Sequence, residues 1–409
     1  MGQPHSKKEQ PLFRGWTFLL PPQQVVYEKS IEQRGGTVLK QPVLLVKSPT
    51  SKWCFELTPT TWLDHRMLLP ELQQSEHQPI VQELIVLLKK RPDLTRALVA
   101  SLERAGYSKL DYLRFLDDLI ISPPEDERVT NMYRALSFSP NNLLEKDADF
   151  QRWLVRFVRA RGEFLDSTAS AGAIEAARQN PDFHLDDYFV NPSGWLTYNQ
   201  FFTREVKPGR RPIDHLCDDR ILVFPADSRY LGQWAIDEEQ NNIVNVKGTK
   251  LSIRTLLADS AFAKAFEGGI FTHSYLSPLD YHRFHVPHRG VVLEAKHIEG
   301  RVWADVEGKE VQDSTGFQFT QMRGLVVLDT PIGLVAILPI GMDHVSSVNI
   351  LAEPNVTLHK GELFGYFAYG ASDIIMLFQK DKIRISATVG QHYLQGQKFG
   401  ESAVSQYHR

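Results

Sequence analysis

The chain has 409 residues, 42% of them hydrophobic, enough to bury one large core or two domains. Its formal net charge of −3 gives no electrostatic footing for nucleic-acid binding. Two cysteines, Cys54 and Cys217, are too few for a thiolate metal cluster and argue against a disulfide framework.

Met1-Gly2-Gln3-Pro4-His5-Ser6, with Lys7 and Lys8 behind it, fits the loose N-myristoylation pattern. A disordered polar leader is the plainer reading. No basic-then-apolar signal peptide is evident, and a cytoplasmic location is expected. Residues 1–45 form a poorly defined leader to which no element is assigned. Pro59 marks a turn or helix start before Thr61-Trp62-Leu63.

From Pro79 the apolar spacing becomes helical. Ile80, Leu84, Leu87 and Leu88 share one face, Pro92 interrupts, and Leu94, Leu98 and Leu102 continue until Gly106. Tyr112, Phe115, Leu116, Leu119 and Ile120 make a third segment before Pro123-Pro124. Phe150, Trp153, Leu154, Phe157 and Val158 make a fourth, and Glu175–Arg178 lies in a fifth. Residues 46–190 therefore read as a helical accessory region. Helical spacing reports burial alone, so it leaves open whether this region only packs or also covers a site.

After Asn191-Pro192-Ser193-Gly194, short β-branched runs replace the helical pattern: Ile221–Phe224, Ile243–Val246, Val291–Leu293, Val345–Ile350 and Ile374–Phe378, with Ile383 and Ile385 in an edge strand. Leu251–Leu257 and Ala261–Phe266 add short helices. The apolar stretch 324–342 is long enough for a membrane span, but Asp329-Thr330-Pro331-Ile332-Gly333 at its centre makes it a hairpin of buried strands. The expected fold is α+β: a mostly antiparallel, β-rich domain at 191–409 behind the N-terminal helical accessory region.

The stretch most suggestive of chemistry is Lys360-Gly361-Glu362-Leu363-Phe364-Gly365-Tyr366-Phe367-Ala368-Tyr369-Gly370-Ala371-Ser372-Asp373. It reads as a tight turn delivering a serine to the start of a buried strand. Taken alone, the stretch reads more plainly as an ordinary hairpin turn with a capping hydroxyl. Three further stretches accompany it: Phe201-Phe202-Thr203-Arg204 with Arg211-Pro212, Phe224-Pro225-Ala226-Asp227, and Tyr281-His282-Arg283-Phe284-His285-Val286-Pro287.

In this order the four stretches resemble the phosphatidylserine decarboxylase family of pyruvoyl enzymes, over roughly 190–400. The resemblance implies self-cleavage between Ala371 and Ser372, with Ser372 becoming a pyruvoyl cofactor. It assigns Asp227, His285 and Ser372 to a protease-like triad and His282 to the decarboxylation step. The chemistry is coherent on its own terms. Decarboxylating an amino acid leaves two electrons on Cα, and a protein-bound carbonyl can accept them. Attack of the serine Oγ on the preceding carbonyl turns the amide into an ester. Elimination then releases Ala371 as a new C-terminus, and hydrolysis of the remaining dehydroalanine gives the ketone. A histidine takes the hydroxyl proton, and a carboxylate fixes its tautomer.

Arg204 and Arg211 are expected in structural ion pairs, and Arg323 is a weaker substrate-binding candidate. The two histidines, without a third or a matching cysteine at a diagnostic interval, give no metal site. Two residues depart from the family pattern. Asp373 stands where Thr or Ser is usual, and its carboxylate would disfavour an oxyanion unless turned away. Ala371 replaces a glycine.

The Gln78–Leu84 stretch is similar to the N-terminal region of the fungal L-tryptophan decarboxylase-like branch. That similarity implies a small-molecule amino acid substrate, tryptophan or another aromatic one, with Trp153 and Phe157 able to form either a pocket or core. Phosphatidylserine, with peripheral membrane contact, is the alternative substrate. An unprocessed binding or scaffold protein is the alternative class. The two cleavage products are expected to stay associated, and no nucleic-acid partner is expected.

Overall fold

The computed structural model describes residues 77–122, 124, 126–237, 243–246, 249–303, 317–341, 347–370 and 372–403, with the backbone of four short strands before residue 57. Compactness divides the chain into two units, 1–79 and 80–409. In the first, β1 (Thr17–Leu20), β2 (Thr37–Lys40), β3 (Leu45–Lys47) and β4 (Cys54–Glu56) form a sheet in the order β2-β1-β3-β4. No element was expected at β1 and β2, whereas β4 and nearly all of β3 fall within 46–190, expected to be helical, and are strands instead. The turn placed around Pro59 lies outside the described residues.

The second unit opens with helices α1 (Pro79–Lys90), α2 (Pro92–Ala105), α3 (Lys109–Ile120), α4 (Asp126–Ser137), α5 (Leu143–Lys146) and α6 (Ala148–Leu165). Local chemistry sets their ends. Pro92 starts α2, and Gly106 at φ 81° ends it in a left-handed cap. The Ser108 hydroxyl caps α3, and the Asp147 carboxylate accepts the N–H groups of Asp149 and Phe150 at the head of α6. Arg91 grips Asp93, Asp147 and Asp149 at 2.7–2.8 Å, tying the α1–α2 corner to α6. Helix α4 buries Val129, Met132, Tyr133 and Leu136 at i, i+3, i+4 and i+7, and the sequence reading did not assign it.

Trp153 and Phe157 are fully buried in this helical core, and the Trp153 indole donates to Ile80 O at 2.9 Å. They are core residues here. The same core includes Val302 and Trp303 from the β-rich part, so the helices and the sheets share one compact unit. Two short helices follow, α7 (Gly172–Arg178) and α8 (Tyr198–Phe202), with α9 (Ile253–Leu256) later in the chain.

The β-rich part is built from β5 (Ile221–Val223), β6 (Ser228–Asp237), β7 (Ile243–Val246), β8 (Thr249–Ser252), β9 (Ile270–Leu276), β10 (Arg283–His285), β11 (Gly290–Ile298), β12 (Arg323–Thr330) and β13 (Gly333–Gly341). It continues with β14 (Val348–Ile350), β15 (Thr357–Leu358), β16 (Leu363–Phe367), β17 (Ser372–Phe378), β18 (Ile383–Ile385), β19 (His392–Tyr393) and β20 (Lys398–Ser402). The main sheet runs β15-β11-β12-β13-β17-β9-β6-β7-β8, and its pairings are antiparallel. β12 and β13 form the hairpin anticipated around Pro331.

Strand β17 sits between β13 and β9 with every residue buried. Because a strand alternates sides, Ile374, Met376 and Phe378 fill one core while Ile375 and Leu377 fill the other. The two smaller sheets are β10-β16-β14 and β18-β20-β5, with β18 at an edge as expected.

Candidate active site

Ser372 is the first residue of β17 and is 1% exposed. It pairs with Gly341 on one side and Leu276 on the other. The turn before it needs Gly370, whose φ of 148° favours glycine. The Ser372 hydroxyl donates to Gly370 O at 3.3 Å. Ala371, the other side of the expected scissile bond, lies outside the described residues.

Strand alternation settles the concern over Asp373. Its side chain leaves β17 on the face opposite Ser372, where Oδ2 lies 3.0 Å from His273 Nε2, close but not aligned as a hydrogen bond. The carboxylate is turned away from the Ser372 side.

The other three stretches pack around one another. Phe202 of α8 lies against the His282 ring, with centroids 4.0 Å apart. Thr203 O accepts from Arg283 Nε at 2.8 Å, and the buried Arg204 donates to the carbonyls of Leu279 and Asp280. These contacts fix the turn 277–280, and Asp280 braces it by accepting from Ser277 N–H at 2.7 Å and pairing with His392 at 2.8 Å. That turn begins one residue after Leu276, the partner of Ser372.

His282 Nε2 donates to Ser277 O at 2.9 Å, which fixes the tautomer. Nδ1 then keeps its lone pair, and it is buried with no hydrogen-bond partner among the described residues. His285 has the opposite tautomer: Nδ1–H donates to Gly361 O at 2.8 Å, and Nε2 accepts the Tyr281 hydroxyl at 3.0 Å. Gly361, at φ 85°, is the turn residue of the Lys360-Gly361-Glu362 stretch. Lys360 anchors that stretch through the carbonyls of His215 and Asp218. His282 lies just before β10 and is fully buried, whereas His285 ends β10 after a register shift at Phe284 and is partly buried.

Asp227 is 2% exposed. Arg211 holds it with Nε at 2.9 and 3.0 Å and Nη2 at 2.7 Å, and Gln395 N–H adds a contact at 2.8 Å. Burial lifts the Asp227 carboxyl above its ordinary value against the pull of Arg211. The expected chain of Asp227, His285 and Ser372 is therefore not closed by hydrogen bonds. Arg211 and the Gln395 amide occupy the aspartate, while Tyr281 and Gly361 occupy the histidine. Arg323 spends its guanidinium on the carbonyls of Leu256, Gln321 and Thr255, which leaves the substrate-contact expectation for it without support.

A link between the helices and the serine turn escaped sequence reasoning. Asn199 Oδ1 accepts from the Tyr369 N–H at 3.0 Å, and its Nδ2 donates to Asp166 Oδ1 at 2.9 Å. Tyr369 also packs its ring on Phe202 and Tyr198. The partners lie as far as 170 residues apart, and no local pattern announces them.

Burial, which penalises the charged form, pushes His282 and His285 each down to about 4 from 6.5. Between these values the unfolded chain binds protons that the folded chain refuses. Stability is thus full above pH 6.5 and falls as pH drops toward 4, by up to about 1.4 kcal/mol per pH unit for each histidine. Denaturant midpoints of wild type and His282→Gln at pH 7 and 4.5 check this. The variant should lose less stability over that interval, by about 2–3 kcal/mol. Equal losses would contradict the buried neutral histidine.

Fold and site together define an α+β enzyme domain in which Asp227, His282 and Ser372 are buried. Residues 198–401 match the family model described as phosphatidylserine decarboxylase. A Shewanella loihica phosphatidylserine decarboxylase proenzyme is 33% identical over 215 residues, 47% of this chain and 73% of the relative. The Clostridium perfringens proenzyme is 31% identical over 235 residues, 57% and 78% of the two chains. Rice phosphatidylserine decarboxylase proenzyme 2 is 32% identical over 266 residues, 64% of this chain but only 42% of the relative. The chain belongs to the phosphatidylserine decarboxylase family, whose members are pyruvoyl-dependent carboxy-lyases.

Proposed function

We propose that the chain is the precursor of a pyruvoyl-dependent decarboxylase, that it cuts itself between Ala371 and Ser372, and that it acts on phosphatidylserine. The observation carrying this reading is a serine buried at the head of the central strand, behind a positive-φ glycine, one strand-step from the turn that orients His282. The names of the relatives carry the substrate. They specify phosphatidylserine, and none quoted above names an aromatic amino acid, the substrate favoured by the sequence reading. Trp153 and Phe157, the aromatic residues considered for a pocket, are spent in the helical core.

The residues present fit a group formed at position 372. A cut before Ser372 leaves residues 372–378 paired on both sides, so the new terminus stays in place. The carbonyl formed there would supply an electron sink for the decarboxylation. Around it, His285 acts in maturation, taking the Ser372 hydroxyl proton once the Tyr281 hydroxyl has turned off Nε2, with Asp227 as the charge behind it. His282, whose Nδ1 lone pair is uncommitted among the described residues, handles the proton at the substrate Cα.

Side-by-side assays of phosphatidylserine vesicles, serine and tryptophan, measuring carbon dioxide and product amine, test the substrate. Turnover of phosphatidylserine is expected. Turnover of tryptophan with none of phosphatidylserine would overturn the reading.

A further inference from the structure

A cavity of about 290 Å³ opens between α6 and the β-rich part. Helix α6 supplies Arg159 and Glu163, and the opposite wall includes Met322, Val348 and Ala368. The cavity adjoins the turn that carries the reactive serine. Ala368 precedes Tyr369 and Gly370 in that turn, and Met322 O accepts from Gly341 N–H, the strand partner of Ser372. Asn199, which also lines it, holds the Tyr369 amide. The volume sits at the lower end of small-molecule sites, roughly 300–1,000 Å³, and suits a headgroup rather than a whole diacyl lipid.

We propose that α6, which lies outside the segment matched by the family model, forms one wall of the substrate site and reads the ionic ends of the headgroup: Glu163 takes the ammonium and Arg159 takes the phosphodiester. This rests on the decarboxylase reading and adds where its specificity comes from. The two residues stand four apart on one helix, with Cβ atoms roughly 5–6 Å from each other, so they face the cavity together. Glu163 is half-buried and Arg159 is exposed, which orders them from the interior to the mouth. That order matches a headgroup whose amine must reach position 372 while its phosphate leads outward to the lipid. Burial holds the Glu163 carboxyl above its ordinary value, which suits a group that takes a proton from an incoming ammonium. The apolar side of Met322, Val348 and Ala368 is left for the carboxylate. An ion without a partner in apolar surroundings is favoured to leave as neutral carbon dioxide.

The full-length Ser372→Ala chain, titrated calorimetrically with glycerophosphoserine, serine and tryptophan, tests this without requiring turnover. Glycerophosphoserine should bind more tightly than either free amino acid. Adding Arg159→Gln should weaken glycerophosphoserine by about tenfold or more and leave serine unchanged, and Arg159→Lys should recover part of the loss. Adding Glu163→Gln should weaken both. Glycerophosphoserine binding that is absent, no tighter than that of serine or tryptophan, or indifferent to Arg159→Gln would overturn the proposal. Carbon dioxide release by the wild-type chain reports separately. A chain that decarboxylates phosphatidylserine yet binds glycerophosphoserine equally well as Arg159→Gln keeps the activity and loses this inference. A chain that binds as expected and releases no carbon dioxide keeps the site and loses the reaction.

Discussion

His282→Gln is expected to leave the chain cut in two while slowing decarboxylation by about 10²–10⁴-fold, the usual worth of a positioned acid or base. The two ring nitrogens of His282 are used differently. Nε2 is committed to Ser277 O and orients the ring, whereas Nδ1 is buried and unpartnered among the described residues. An amide side chain can keep the orienting bond and cannot carry the proton. His285→Gln should show the opposite pattern, an uncut chain with no activity, as should Ser372→Ala. Intact mass separates cut from uncut, carbon dioxide release measures the reaction, and circular dichroism verifies the fold. A His282→Gln chain that matured and turned over normally would remove His282 from the reaction.

Arg211→Ala should cost about 3–5 kcal/mol, because it strands the Asp227 carboxylate in the interior. The side chains are 5% and 3% exposed and meet at 2.7 Å, so water cannot replace the guanidinium without opening the turn. Arg211 also bonds Asp187 at 3.1 Å, so some of the loss is shared with that contact. Adding Asp227→Asn to Arg211→Ala removes the stranded charge and should restore a measurable part of the stability. Denaturant midpoints give the cycle. A loss below about 1 kcal/mol for Arg211→Ala would mean that the pair behaves as an exposed one.

Much of this was legible in the residues because it is local. The turn at Asp329–Gly333, the β-branched runs and the apolar run after Ser372 each write their structure into neighbouring positions. The period of two already placed Ser372 and Asp373 on opposite faces, provided that Ser372 begins the strand and not the turn; only the structure settles that. Helix α4 carried a readable i, i+3, i+4, i+7 pattern amid charged neighbours. The long-range contacts were not readable. Asp280 meets His392 across 112 residues, and Asn199 meets Tyr369 across 170. Nothing near either partner marks the other. The same limit explains the triad. Sequence order could align Asp227, His285 and Ser372 but could not show Arg211 and Tyr281 already occupying their bonding atoms. It also left open whether the helices only pack. The cavity beside α6 is a feature of packed surfaces and has no sequence pattern of its own.

Intact mass of the freshly purified full-length chain distinguishes a chain cut before Ser372 from an uncut one. Two species are expected, residues 1–371 and a C-terminal piece from 372 onward whose mass carries a pyruvoyl group in place of serine. They should co-purify under native conditions and separate on denaturation. A single uncut mass under every folding-competent condition would contradict the cut before Ser372.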